Sequence, residues 1–234
     1  MSRCPSPRTL TSLRVLRHLS GGPDDVAVDS HGAIWISEHD GGAIAELTQS
    51  GQVMRTINDA QGPEGIVPLP DGMMLVAQQV PNRIDLLDPM RGTFSAWLQL
   101  GAAPAQQGVD GIAAADGAVL VPDSHGGTLL RVPLGNGDTH GAPQTVASGL
   151  GRPVDAAQLP DGSIVVTVEN APGLELVSPS GQVSALAHDQ SLDDVVVQPP
   201  LAYATNLDGH AVSAVDMTTG AQRTLVTGAP DPQG

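Results

Sequence analysis

Short aliphatic runs separated by glycine-bearing turns recur along the whole chain, and their lengths suit strands rather than helices. The first such stretch, Gly22-Pro23-Asp24-Asp25-Val26-Ala27-Val28-Asp29, reaches a turn at His31-Gly32 and continues as Ala33-Ile34-Trp35-Ile36-Ser37-Glu38. A turn at Gly41-Gly42 leads to Ala43-Ile44-Ala45-Glu46-Leu47, and one at Ser50-Gly51 to Gln52-Val53-Met54-Arg55-Thr56-Ile57. This spacing predicts four strands joined by three turns. Asp71-Gly72, Asp116-Gly117 and Asp161-Gly162 each stand between two aliphatic runs, where Gly supplies the positive φ of a tight hairpin. In the fifth unit Pro199-Pro200 replaces that pair, which predicts a looser first hairpin.

The four-strand unit repeats with a period of about forty residues, the length of one propeller blade. First strands start at Pro23-Asp24-Asp25, Pro63-Glu64-Gly65, Val109-Asp110-Gly111, Pro153-Val154-Asp155 and Leu192-Asp193-Asp194, with a last match at Pro232-Gln233-Gly234. The expected fold is therefore all-β: a six-bladed β-propeller design with four-stranded blades, five present and the sixth truncated at the C-terminus, in a single domain over 1–234. The segment from Arg14 to Pro23 resembles that from Arg223 to Pro230, so an N-terminal strand at about 9–19 is expected to close the missing sixth blade. A sandwich or solenoid is the competing all-β architecture, but near-equal four-stranded units favour radial repetition.

Composition narrows the partners. All ten basic residues are Arg and the net charge is −15, so nucleic acid and an anionic membrane surface are excluded as expected partners. With 40% hydrophobic residues in 234, the chain can bury a core. Cys4 is the only cysteine, which excludes an intrachain disulfide and a Cys-based metal knuckle. No apolar run has signal-peptide or membrane-span length, so a soluble protein, cytoplasmic by default, is expected.

The units Gly22 to Glu38 and Arg152-Pro153-Val154-Asp155 with Asp161-Gly162-Ser163-Ile164-Val165-Val166 resemble NHL-repeat and SMP-30/gluconolactonase-type propellers over nearly the whole chain. That resemblance implies a divalent cation, usually calcium, held by acidic and amide side chains at the central channel, and hydrolysis of lactones. Where that family has Glu before its first Gly-Pro, Gly21 precedes Gly22-Pro23; Asp110-Gly111 stands in place of its Asn-Gly.

In a propeller, the loops entering the first strands and those following the second strands converge on one face. The first set supplies Asp24, Glu64, Asp110, Asp155 and Asp193 as expected metal ligands, with Asp110 and Asp193 also the catalytic candidates. The second set supplies a further ring at the channel mouth: Glu38, Gln78, Asp123, Glu169 and Asn206. Two activities and one binding role fit this pattern. The first is a calcium-dependent hydrolase of a lactone or sugar-derived ligand; the second is a non-enzymatic NHL-type scaffold that binds a protein or carbohydrate. A streptogramin-lyase-like elimination is the third reading, using His39, His125 and His210 near the second-to-third strand turns.

Overall fold

A computed structural model describes residues 15–104, 107–136, 138–169, 173–188, 192–207 and 209–227. Blade one comprises β1 (Pro23–Val28), β2 (Ile34–Glu38), β3 (Ala43–Leu47) and β4 (Val53–Ile57). Blade two comprises β5 (Pro63–Pro68), β6 (Met74–Gln78), β7 (Arg83–Asp88) and β8 (Thr93–Gln99). Blade three follows with β9 (Ala113–Ala115), β10 (Ala118–Asp123), β11 (Thr128–Pro133) and β12 (Gln144–Ser148). Blade four is β13 (Pro153–Gln158), β14 (Ile164–Val168), β15 (Gly173–Val177) and β16 (Val183–His188). Blade five is β17 (Leu192–Gln198), β18 (Leu201–Asn206), β19 (Ala211–Asp216) and β20 (Gln222–Thr227). Each blade is an antiparallel meander, and the described residues form five four-stranded blades.

The hairpins form for local reasons. Asp29, Asp71 and Asp161 accept hydrogen bonds from the amides of Ala33, Met73 and Ser163, and the glycines between them, Gly32, Gly72 and Gly162, take φ of 83°, 86° and 87°. The first hairpin of blade five is tighter than the sequence suggests. Gln198 pairs directly with Leu201 across a two-residue Pro199-Pro200 turn whose peptide bond is cis. Proline there removes no ladder bond, because both residues lie outside the paired strands.

Packing runs around the ring: β1 lies against β5, β5 against β9, β9 against β13 and β13 against β17. Along each first strand one position faces the preceding blade and the next faces the following one. Ile66, Ile112, Ala156 and Val195 face backward and are buried, whereas Val26 in blade one is 59% exposed. Val67 faces forward and is buried, whereas its counterpart Val196 in blade five is 65% exposed. Among the described residues no comparable packing joins β17 to β1, so the described strands leave an open sector between blades five and one.

The segment 15–19 marks the far side of that sector. A Cβ built on Gly181 or Gly220 would stand 2.7 or 2.8 Å from a carbonyl of the preceding blade's outer strand, at Val146 and Leu186. In blade one the equivalent Gly51 meets the Leu16 carbonyl in the same way. Leu16 thus lies where the outer strand of a blade preceding blade one would run. Residues 15–19 nevertheless form no strand, so that part of the expected closing strand at about 9–19 is not seen; 9–14 and the Pro232-Gln233-Gly234 match lie outside the described residues.

Candidate functional site

Asp24, Glu64 and Asp193 are the second residues of β1, β5 and β17 and reach one mouth of the channel; Asp110 joins them from the segment before β9, the first strand of blade three, which starts at Ala113 and not at Val109 as its sequence suggests. Asp24, Glu64, Asp110 and Asp193 line a cavity of about 280 Å³ with His39, Gln79, Arg152, Glu169 and Leu207. One carboxylate oxygen from each of Asp24, Glu64 and Asp110 lies within 4.8 Å of the others. Glu64 Oε1 is 2.6 Å from His39 Nδ1, while its other oxygen, Oε2, is buried without a partner. Arg152 pairs with Asp110 at 3.4 Å and with Glu169.

Burial and mutual repulsion drive these acids toward their neutral forms. Asp24 is pushed up to about 10 by burial first, then by Glu64 beside it. Glu64 rises to about 9 through burial and the charge of Asp110. Asp110 rises well above the carboxylate range through burial, then Asp193 and Asp24, with Arg152 opposing. Asp193 moves least, to about 6, through burial and then the charge of Asp25, opposed by Arg152. It is the carboxylate of this group most readily ionised at neutral pH.

Asp155 is not in this cavity. In blade four the second position is the buried Val154, and Asp155 falls one residue later, level with Asp25 and Asp194. At that level Asp25 accepts the amide of Ile66 at 2.7 Å and Asp155 accepts that of Val195 at 2.9 Å, each in the following blade. The backbone amides of Asp25, Asp155 and Asp194 donate to Ser37, Thr167 and Thr205 in their own blades. These acids stitch first strands together. Burial raises Asp155 to about 8, with the Val195 amide opposing.

The second ring is also mostly occupied with local bonding. Glu38 accepts the amide of Gly21, Gln78 that of Gln61, Asp123 that of Gly126 and Asn206 that of Gly209. These side chains hold the surface loops in place. Glu169 alone of this set lines the cavity. The three histidines do not converge: His39 contacts Glu64, His125 lines a neighbouring pocket, and His210 is exposed in a turn.

Gln79 and Arg152 belong to the cavity and were not singled out from the sequence. For Arg152 a signal existed, because it directly precedes Pro153 where Gly22 and Gly62 precede Pro23 and Pro63.

Solved structures share this architecture. A virginiamycin B lyase from Staphylococcus aureus superposes with TM-score 0.65 at 13% identity, over 85% of this chain and 68% of that one. A chain of a nidogen/laminin complex gives 0.73 at 17%, over 86% and 79%. A gluconolactonase from Xanthomonas campestris gives 0.64 at 14%, over 79% and 69%. The chain is a β-propeller. No family model and no curated protein matches the sequence, and at these identities the likeness is one of fold.

Proposed function

We propose that the channel mouth of this propeller binds one calcium ion and that the protein is a calcium-dependent lactone hydrolase. The observation that carries the reading is the unpartnered, buried Glu64 Oε2 within a trio of carboxylates too close to be ionised together. Asp24, Glu64, Asp110 and Asp193 would hold the ion with the hard oxygen donors calcium prefers. A bound divalent cation supplies charge compensation and polarises an ester carbonyl. Asp193, the least shifted acid, takes a proton from the attacking water, and the ring C–O bond opens to a hydroxy acid. Asp110, held by Arg152, positions the site. Assaying a panel of sugar lactones with calcium and with chelator tests this; Asp193→Asn should abolish a calcium-dependent hydrolysis that His39→Asn leaves measurable.

A second reading has its own observation, the 2.6 Å contact of His39 with Glu64. A carboxylate-oriented imidazole suits proton abstraction and elimination, which would be lost in His39→Asn and would incorporate no solvent oxygen in the product. A scaffold without activity would show neither.

We also propose that the open sector is the place of three strands completing a six-bladed ring with the segment about 9–19. Support comes from exposed Val26 and Val196, from Leu16 in an outer-strand place, and from Asp194. No donor among the described residues reaches the Asp194 carboxyl, whereas its equivalents Asp25 and Asp155 each take an amide from the next blade. A chain extended by about thirty residues, three strands with turns, should melt higher and associate less. Equal melting and purely monomeric sedimentation of both would contradict it.

A further inference from the structure

The acids of the mouth are not all held in the same way. Asp24, Glu64 and Asp193 lie in β1, β5 and β17, directly after Pro23, Pro63 and Leu192, which pair with the second strand of their own blade. Among the described residues Asp110 has no such ladder, because in blade three the pairing of β9 with β10 runs only from Ala113 to Ala115. The connection into that blade is also the longest of the four, 100–112 against 58–62, 149–152 and 189–191. Something other than sheet pairing must fix Asp110.

Asn82, in the turn between β6 and β7 of blade two, supplies the hold. Its Nδ2 donates to the Gly101 carbonyl at 2.6 Å, and its Oδ1 accepts the amide of Val109 at 2.7 Å. One side chain thus ties both ends of the connection to blade two. The backbone carbonyl of Asn82 accepts from the Leu100 amide and from Gln99 Nε2. Asn82 is 3% exposed and takes φ of 48°, a left-handed conformation that asparagine tolerates better than most residues with a side chain. Two further contacts close the seat. Gly108 lies so near the Gln79 carbonyl that a Cβ there would strike it, and the Gly65 amide donates to the Asp110 carbonyl at 3.2 Å.

We propose that Asn82 is the positioning residue that fixes Asp110 at the channel mouth. It lies outside the cavity lining and acts through the buried Val109, the residue directly before Asp110. Loss of a residue that orients a metal ligand typically weakens metal binding about 10–100-fold. The inference rests on the calcium reading for that consequence alone; the hold on 107–112 needs no ion.

Hydrogen exchange by mass spectrometry and calcium calorimetry on the full chain test this. Asn82→Gly keeps the left-handed backbone and removes both side-chain bonds, so exchange over 107–112 should quicken about tenfold, the worth of one hydrogen bond, while the strands of blade two stay protected. Calcium should bind about tenfold more weakly. Asn82→Asp keeps an acceptor for Val109 and should bring the exchange back toward wild type. Gly108→Ala displaces the same segment without altering Asn82; it should weaken calcium likewise, and it carries the test if Asn82→Gly does not fold. Asp155→Ala, destabilised away from the mouth, should keep wild-type calcium affinity. A merely structural Asn82 would melt lower as glycine with unchanged calcium affinity and no faster exchange over 107–112, and that result overturns the proposal. If wild type binds no calcium, faster exchange confined to 107–112 upholds the hold on Asp110 and retires the ion, whereas unchanged exchange there overturns the hold as well.

Discussion

Asp155 offers the sharpest separation of an inter-blade bond from a metal ligand. Asp155→Ala would leave the buried Val195 amide without its 2.9 Å acceptor. An orphaned buried N–H costs about 1–3 kcal/mol. At about 2–4 °C per kcal/mol for a chain of this size, melting near pH 4, where Asp155 still makes its full contribution, should fall by about 4–8 °C at the middle of that range. Asp155→Asn keeps an acceptor oxygen at the same place and near pH 4 should melt close to wild type. The two also differ with pH. Folding raises Asp155 from 3.8 to about 8, so the stability it contributes is complete below about pH 4 and is lost as pH rises toward 8. Within that window the loss is about 1.4 kcal/mol per pH unit, and the Asn variant lacks it. The Asn variant should therefore gain on wild type between pH 5 and 8 in thermal unfolding followed by circular dichroism. Wild-type melting in Asp155→Ala, or loss of a calcium response in Asp155→Asn, would refute the assignment.

The acids of the mouth predict a wider pH effect. Asp24 and Glu64 rise to about 10 and about 9, so calcium-free protein should lose stability as pH climbs from 5 to 8, and calcium binding should release protons, read as a buffer-dependent enthalpy. A pH-independent melting temperature without calcium would contradict this. Gly65→Ala should fail to fold or melt far lower, because its Cβ would strike the Ile112 amide and the backbone of Gly111 in blade three. Soluble Gly65→Ala with wild-type melting would contradict the close approach of β5 to the β9 region.

Much of the fold was legible because strand alternation and Asp-Gly turns act over a few residues. The starts Pro23, Pro63, Pro153 and Leu192 pair with Glu38, Gln78, Val168 and Asn206, the registers a repeated unit requires. The site was less legible because it depends on contacts between blades. Asp155 looked like one more acid at a strand start, yet a single-residue offset turns it toward Val195 instead of the mouth. Glu38, Gln78, Asp123 and Asn206 have the right chemistry for ligands but find nearby amides first, as short polar side chains near turns tend to do. Arg152 carried a readable sign, a side chain at a position where two other blades use glycine.

Equilibrium calcium binding by wild type and Asp110→Asn tests the channel site most directly. Asp24, Glu64 and Asp110 approach within 4.8 Å, so wild type should bind one ion per chain and melt higher with calcium. Asp110→Asn should bind about tenfold or more weakly, since site charge sets calcium affinity, and should melt no lower than wild type without calcium because a repelling buried acid has gone. No calcium binding by wild type at millimolar concentration, with melting unmoved by calcium or chelator, would contradict a metal site at the mouth of this propeller.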